Sequence, residues 1–218
     1  GAVLEAFDVK TLTAFYDLEV GPVSFDFVVF LIKAEMARIE RKADRLHVVI
    51  VPFAAGIAGM FRDKTRFYDG HEMRWRLWNI CIPACSLIGA SVTLATDWQM
   101  AERLEMAGTQ HAGAHWPPDW DCQSLRNRQH LVGSIITAAK QGVPIPRLTA
   151  SVHARRAVQE YNDQLRLPVV TMTLRGTYLD TRNSLLSEWE KAAQHIRTRG
   201  YAVKVLRDTG TTLRMGSG

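Results

Sequence analysis

A chain of 218 residues, 47% hydrophobic and 22% charged, is long enough to bury one large or two small cores and does not have the composition of a disordered segment. No apolar run reaches the roughly 18 residues needed to cross a bilayer; the longest candidate, 25–37, is interrupted by Asp26, Lys33 and Glu35. The formal charge of +5 suits anionic partners, but the cations are scattered rather than gathered into the dense basic stripe of a nucleic-acid binder, so no nucleic-acid partner is expected.

The same basic balance leaves peripheral membrane association open. Three cysteines, Cys81, Cys85 and Cys122, are an odd number at low density, which argues against a disulfide framework and for a reducing compartment. The opening residues 1–10 lack a basic start followed by an apolar stretch, so no secretory signal is read there. A cytoplasmic location is the resulting expectation.

In chain order, residues 14–20 alternate and end at Gly21-Pro22, predicting a first strand and its turn. Ser24 is expected to cap a helix running to about Lys42, with Phe27, Phe30, Leu31, Ala34 and Ile39 at helical spacing. Residues 46–51 form a continuous apolar run closed by Pro52, as in a strand buried on both faces of a parallel sheet. A glycine-rich loop, 54–59, follows. A helix over 72–87 comes next, then a short strand over 91–95 and a helix capped by Asp97 that carries Met100, Leu104 and Met106.

Residues 108–122 are expected as loop, 123–140 as helix and 142–146 as a proline-containing linker. Ser151 opens a polar helix to 165, and 169–174 is the best-marked strand. Ser184 starts a helix whose stripe is Leu185, Trp189, Ala192, Ala193 and Ile196. Gly200 ends it, and 201–206 returns as a strand. Strands alternating with helices imply an α/β fold, a Rossmann-like parallel sheet flanked by helices. Two blocks are expected: 1–150 as an N-terminal domain, and 151–218 as a bridging helix with the start of a second domain. That second domain is incomplete on this reading, because one β-α-β unit leaves its sheet faces uncovered.

Several groups of residues carry chemistry. Arg175 follows the strand over 169–174, at the end where open α/β sheets bind ligands, and its fork of donors suits a diphosphate. Thr177, Arg182, Asn183 and Ser184 add donors ahead of a helix N-terminus, which attracts anions. The competing reading pairs Arg175 with a neighbouring carboxylate and leaves Ser184 only to cap its helix. Arg62, Arg66, Arg74 and Arg76 flank an aromatic stretch, and Arg74 and Trp78 share a helix face; they read either as an acceptor or phosphate contact or as a core with solvated cations.

Asp119-Trp120-Asp121 has the Asp-x-Asp spacing that can offer oxygen ligands to a divalent cation, as in metal-dependent GT-A glycosyltransferases. Cys81, Cys85, His111, His115 and Cys122 can be drawn as a zinc set, but the first two sit among Ile80, Ile82 and Leu87, the setting of a small core residue. No metal is therefore expected. Gly56-Ile57-Ala58-Gly59 follows a strand without the spacing of a dinucleotide loop and reads as a flexible loop.

The run 167–208 resembles the start of the donor-binding domain of GT-B glycosyltransferases, in which a similar strand of fucosyltransferase-like members ends in an arginine. Residues 16–118 are similar to the N-terminal domain of bacterial glycosyltransferase-like proteins, through Phe15-Tyr16-Asp17-Leu18, the stretch Arg74-Trp75-Arg76-Leu77-Trp78-Asn79-Ile80 and the Trp116-Pro117-Pro118 turn. The resemblance implies transfer of a sugar from a nucleotide-sugar, bound as co-substrate without a further cofactor, to a glycan or related acceptor. It implies Arg175, Thr177, Asn183 and Ser184 at the donor diphosphate, with Arg74 and His71 on the acceptor side. A general base is then needed for the acceptor hydroxyl, and Asp17, at the end of the first strand, is the candidate by position, with Glu19 and Asp26 as competitors. The rival expectation is a non-catalytic binding or assembly module that keeps a glycosyltransferase-like fold.

Overall fold

The computed structural model describes residues 9–60, 69–112, 115–120, 131–176 and 183–207. The chain divides into two units, Gly1–Ser151 and Val152–Gly218. In the first unit, four parallel strands form one sheet in the order β3-β2-β1-β4: β1 (Thr11–Asp17), β2 (Arg45–Val51), β3 (Ser91–Leu94) and β4 (His115–Trp116). The chain builds outward from β1 to β3, then crosses back to place β4 on the other side of β1. This is the order of one half of a doubly wound, Rossmann-like sheet.

The alternation of side chains along the strands decides what covers each face. Leu12, Ala14 and Tyr16 of β1, with Leu46, Val48 and Ile50 of β2, share a core with Phe27, Phe30, Leu31 and Ala34 of α1 (Phe27–Glu40). Phe27, Phe30 and Leu31 are 0% exposed, and each such burial is worth about 1.5–3 kcal/mol. On the opposite face Phe15, Val49 and Val51 pack with Ala101 and Leu104 of α5 (Trp98–Ala112) and with Trp120. β2 is thus buried on both sides, as its unbroken apolar run requires.

Several element ends differ from the sequence reading. β1 runs over 11–17 rather than 14–20, because the Asp17 side chain accepts the Glu19 amide at 2.9 Å and turns the chain there. Asp26, not Ser24, is the cap residue of α1 and makes no side-chain cap bond; the Ser24 hydroxyl accepts the Asp26 amide at 3.2 Å and donates to the Asp26 carboxylate at 3.0 Å. The helix read over 72–87 is a composite: after α2 (Gly56–Met60) come α3 (Gly70–Arg76), a π-helical turn (Leu77–Cys81), α4 (Ile82–Ala84) and a 3-10 turn (Cys85–Ile88). Pro83 lies inside it and cannot donate a helical hydrogen bond. β4 falls within residues read as loop, and α5 continues to Ala112. The helix read over 123–140 is described as α6 (Gly133–Lys140), and 123–130 lie outside the described residues.

The second unit holds α7 (Val152–Leu165), β5 (Val169–Thr173), α8 (Leu186–Thr198) and β6 (Ala202–Leu206). β5 and β6 pair in parallel, and Met172 and Ala193 are its buried apolar residues among those described. Gly200 ends α8 with φ at +84°, the left-handed conformation that favours glycine after a helix. The Lys204 ammonium lies 4.1 Å from the Tyr161 ring centre, linking β6 to α7. Among the described residues no helix is long and apolar enough to cross a membrane.

Candidate functional site

Reversal of strand order between β1 and β4 creates a switch point, and open α/β sheets hold ligands there, beyond the carboxyl ends of the strands. Asp17 is the last residue of β1 and only 4% exposed. Its Oδ1 accepts the Glu19 amide, and its backbone oxygen accepts the Gly21 amide at 2.8 Å. Glu19 then reaches the next loop, where its Oε1 accepts the Ala54 amide at 2.7 Å. Two carboxylates at this edge therefore hold the loops after β1 and β2 in place.

The turn after β1 is closed by contact. The Tyr16 hydroxyl donates to the Pro22 carbonyl at 2.8 Å, and a Cβ at Gly21 would stand 2.5 Å from the tyrosine ring. Only glycine fits under that ring. The loop after β2 is tied to the loop after β3: Ile57 donates its amide to Thr96 at 3.0 Å, and the Trp98 indole donates to the Pro52 carbonyl at 3.0 Å. Asp97 caps α5 through the Met100 amide at 2.8 Å, as its position in the sequence predicts. That amide and the Thr96 hydroxyl hold the Asp97 carboxyl below its usual range.

Beyond β4, Trp120 stacks on Phe15, and the His115 imidazole meets the Trp120 carbonyl at 2.9 Å. Asp119 is exposed; Asp121, its partner in the Asp-x-Asp reading, lies outside the described residues, as do Cys122, Arg62 and Arg66. Among the described residues no group of three His, Cys, Asp or Glu side chains could hold a metal ion. Cys81 and Cys85 are buried at 0% exposure, and burial pushes both thiols up to about 12. Neither thiol is a ready nucleophile at neutral pH.

No family model, curated protein or solved structure matches this chain.

His71 and Arg74 of the acceptor-side reading sit on α3 and are exposed. Asp69 caps this helix by accepting the Glu72 amide at 2.8 Å. Glu72 in turn takes two donors from Arg76, Nε and Nη2, each at 2.9 Å. Arg76, buried to 9% exposure, is thus a structural cation that orients the helix, while Arg74 lies on its outer side.

In the second unit the structure brings Arg175 and Ser184 together. The Arg175 amide donates to Ser184 Oγ at 2.9 Å, and the Ser184 amide donates to the Arg175 carbonyl at 2.9 Å. Ser184 therefore ties the end of β5 to the start of α8 rather than capping the helix, whose cap residue Leu185 has no side-chain bond. Arg175 is exposed and Asn183 half-buried; Thr177 and Arg182 lie outside the described residues. A groove of about 850 Å³ in this unit is lined by Met172, Leu174, Trp189, Ala193, Val205 and Arg207, among others. Leu174, next to Arg175, and Leu186, two residues after Ser184, are among its lining residues, whereas Arg175 and Ser184 are not.

Sequence reasoning missed the carboxylate tie from Glu19 to Ala54 and the platform that Phe15 and Trp120 make. The tie joins a side chain to a backbone 35 residues away and leaves no local pattern. The aromatic pair was open to reading only through β4, and two residues are too short to show alternation.

Proposed function

We propose that this chain serves transfer of a sugar from a nucleotide-sugar donor to a glycan or related acceptor, on a GT-B-like plan. The observation that carries the reading is the place of Asp17, which ends β1 beside the switch point of a parallel sheet. In the displacement, the acceptor hydroxyl oxygen bonds to the sugar's anomeric carbon while the bond from that carbon to the diphosphate oxygen breaks. Within the first unit the hydroxyl proton is assigned to Asp17, and within the second, taken by itself, Arg175 is assigned to a donor diphosphate. Gly176 gives a phosphate close approach to the backbone, and the Ser184 hydroxyl, accepting from Arg175, keeps its own proton to donate. No cofactor is needed beyond the nucleotide-sugar. The low number of cysteines favours a cytoplasmic setting.

The test is calorimetric titration with nucleoside diphosphates, wild type beside Arg175→Ala. Charge-assisted contacts of about 1.5–3 kcal/mol make the variant bind roughly ten- to a hundredfold more weakly. Equal affinities remove Arg175 from the site. The rival reading, a non-catalytic binding module on the same fold, draws on the burial of Asp17, whose carboxylate is used in a turn. Turnover of labelled nucleotide-sugar that falls with Asp17→Asn, at unchanged nucleotide affinity, supports the enzyme; binding without turnover supports the module.

A further inference from the structure

The groove of the second unit runs between α8 and the sheet. Leu186, Trp189, Ala193 and Arg197 line it from the helix, at spacings that share one face. Met172 of β5 and the adjoining Leu174, with Val205 of β6 and the adjoining Arg207, line it from the sheet at alternate positions. Met172 and Ala193 are each 5% exposed and mark the line where helix meets sheet. Beside that line large apolar side chains stay open: Leu186 at 59%, Trp189 at 39% and Val205 at 41%. The Tyr161 ring of α7 does not cover them, since it meets Lys204, which alternates with Val205 and belongs to the other face of β6. An apolar strip rimmed by polar side chains marks an interaction site.

The charge around this strip is positive and reaches both of its ends. Arg207 follows the carboxyl end of β6. α8 runs back against the strands it joins, so Arg197, in its last turn, stands toward the opposite end. From Leu186 to Arg197 the helix rises about 16 Å. Both arginines are exposed, and neither makes an ion pair among the described residues. Lys191 adds a third cation, paired with Glu188 at 2.8 Å, and Glu190 is the one carboxylate among the described lining residues.

We propose that this groove docks an amphipathic helix of a partner protein, its apolar face on Trp189 and Val205 and a carboxylate near each end paired to Arg197 and Arg207. The length suits about three helical turns, and apolar grooves take up helices through side chains spaced as those of α8 are. Guanidinium–carboxylate pairs at both ends fix the register. A lipid chain carries its charge at one end and leaves one of the two arginines unused. A second copy of this chain is disfavoured as well: among the described helices α1 alone has carboxylates at both ends, Asp26 and Glu40, and its apolar face is already in the core. The docking does not depend on the transfer reaction.

The probe is a labelled peptide of about 15 residues with leucines on one helical face and a glutamate near each end; its control carries lysines in place of the glutamates. Each is titrated with the purified chain and read by fluorescence anisotropy. Wild type is expected to bind the glutamate peptide roughly tenfold or more tightly than the lysine peptide. Arg197→Glu combined with Arg207→Glu reverses the preference, and Trp189→Ala weakens the glutamate peptide by roughly tenfold or more. Circular dichroism checks each fold, and the double charge reversal, made at exposed positions, decides the matter if Trp189→Ala does not fold. The proposal is overturned if neither peptide binds, if the double reversal keeps the wild-type preference, or if folded Trp189→Ala binds as wild type does. It is also overturned if these side chains serve only the binding of anionic phospholipid vesicles or self-association of the chain, followed by co-sedimentation and analytical ultracentrifugation.

Discussion

Trp120 lies flat on Phe15, with ring centres 4.0 Å apart and planes 3° from parallel. Phe15 belongs to the central strand β1, and Trp120 follows the two-residue strand β4, which has few ladder bonds of its own. The stack therefore does much of what a longer strand would do in holding the chain after β4 against the sheet. Trp120→Ala is expected to cost about 3–5 kcal/mol, measured by urea unfolding. A loss below about 1 kcal/mol, on the same scale of core truncations, would show that β4 is held by something else.

Gly21 is a second point of strict fit. Gly21→Ala places a methyl carbon against the Tyr16 ring, whose hydroxyl is itself fixed on Pro22. The variant is expected to lose about 1–3 kcal/mol, as overpacking does. Tyr16→Phe, which removes only the hydroxyl bond, should lose about 1 kcal/mol. The double variant discriminates between them: the phenylalanine ring still blocks the methyl, so Tyr16→Phe should not rescue Gly21→Ala.

Acid should weaken the fold through His47. Burial holds its imidazole below the ordinary value of 6.5, while Nδ1 meets the Ser91 hydroxyl at 2.8 Å across β2 and β3. A depressed folded value means that the unfolded chain takes up the proton first as the pH falls. Stability is then full above about 6.5 and declines below it until the folded imidazole also titrates. Asp97 adds in the same direction at lower pH, since its carboxyl is held below the usual range and its contribution is lost on protonation. The check is the unfolding midpoint of wild type and His47→Gln between pH 7.5 and pH 5, values chosen to bracket the histidine range of roughly 6.5. A flatter profile in the variant supports the assignment, and identical profiles refute it.

Cys81 and Cys85 are expected to resist thiol reagents in the native state. Both are fully buried and both thiols are pushed up to about 12, so little thiolate forms near neutral pH. Mass spectrometry after brief treatment with iodoacetamide should find them unmodified until denaturant is added. Rapid native labelling of either would show that the composite helix opens.

The elements with long, uninterrupted patterns were legible from residues alone. β2 announced itself through an unbroken apolar run, and α8 through its stripe and the glycine that ends it. Where side chains bind backbone at a distance, the pattern carried no trace. Ser184 has the look of a helix cap in the sequence, but its hydroxyl turns back to Arg175. The composite helix reads as continuous because its buried residues keep near-helical spacing through the π turn and past Pro83. At the candidate site, Asp17 was reachable through its place at a strand end, whereas the loop ties that enclose it were not.

The wide turn at Leu77–Cys81 also bears on how this segment can change through descent. A helix with one π turn holds a residue more than regular winding over the same length requires. Losing one outward residue there restores ordinary winding and keeps Met73 and Cys85 on the core side, each now reached by normal spacing. Gain and loss of a single codon can therefore install or delete an outward residue such as Trp78, which is exposed, while the core beneath it stays the same, so the surface and the scaffold are free to evolve at different rates.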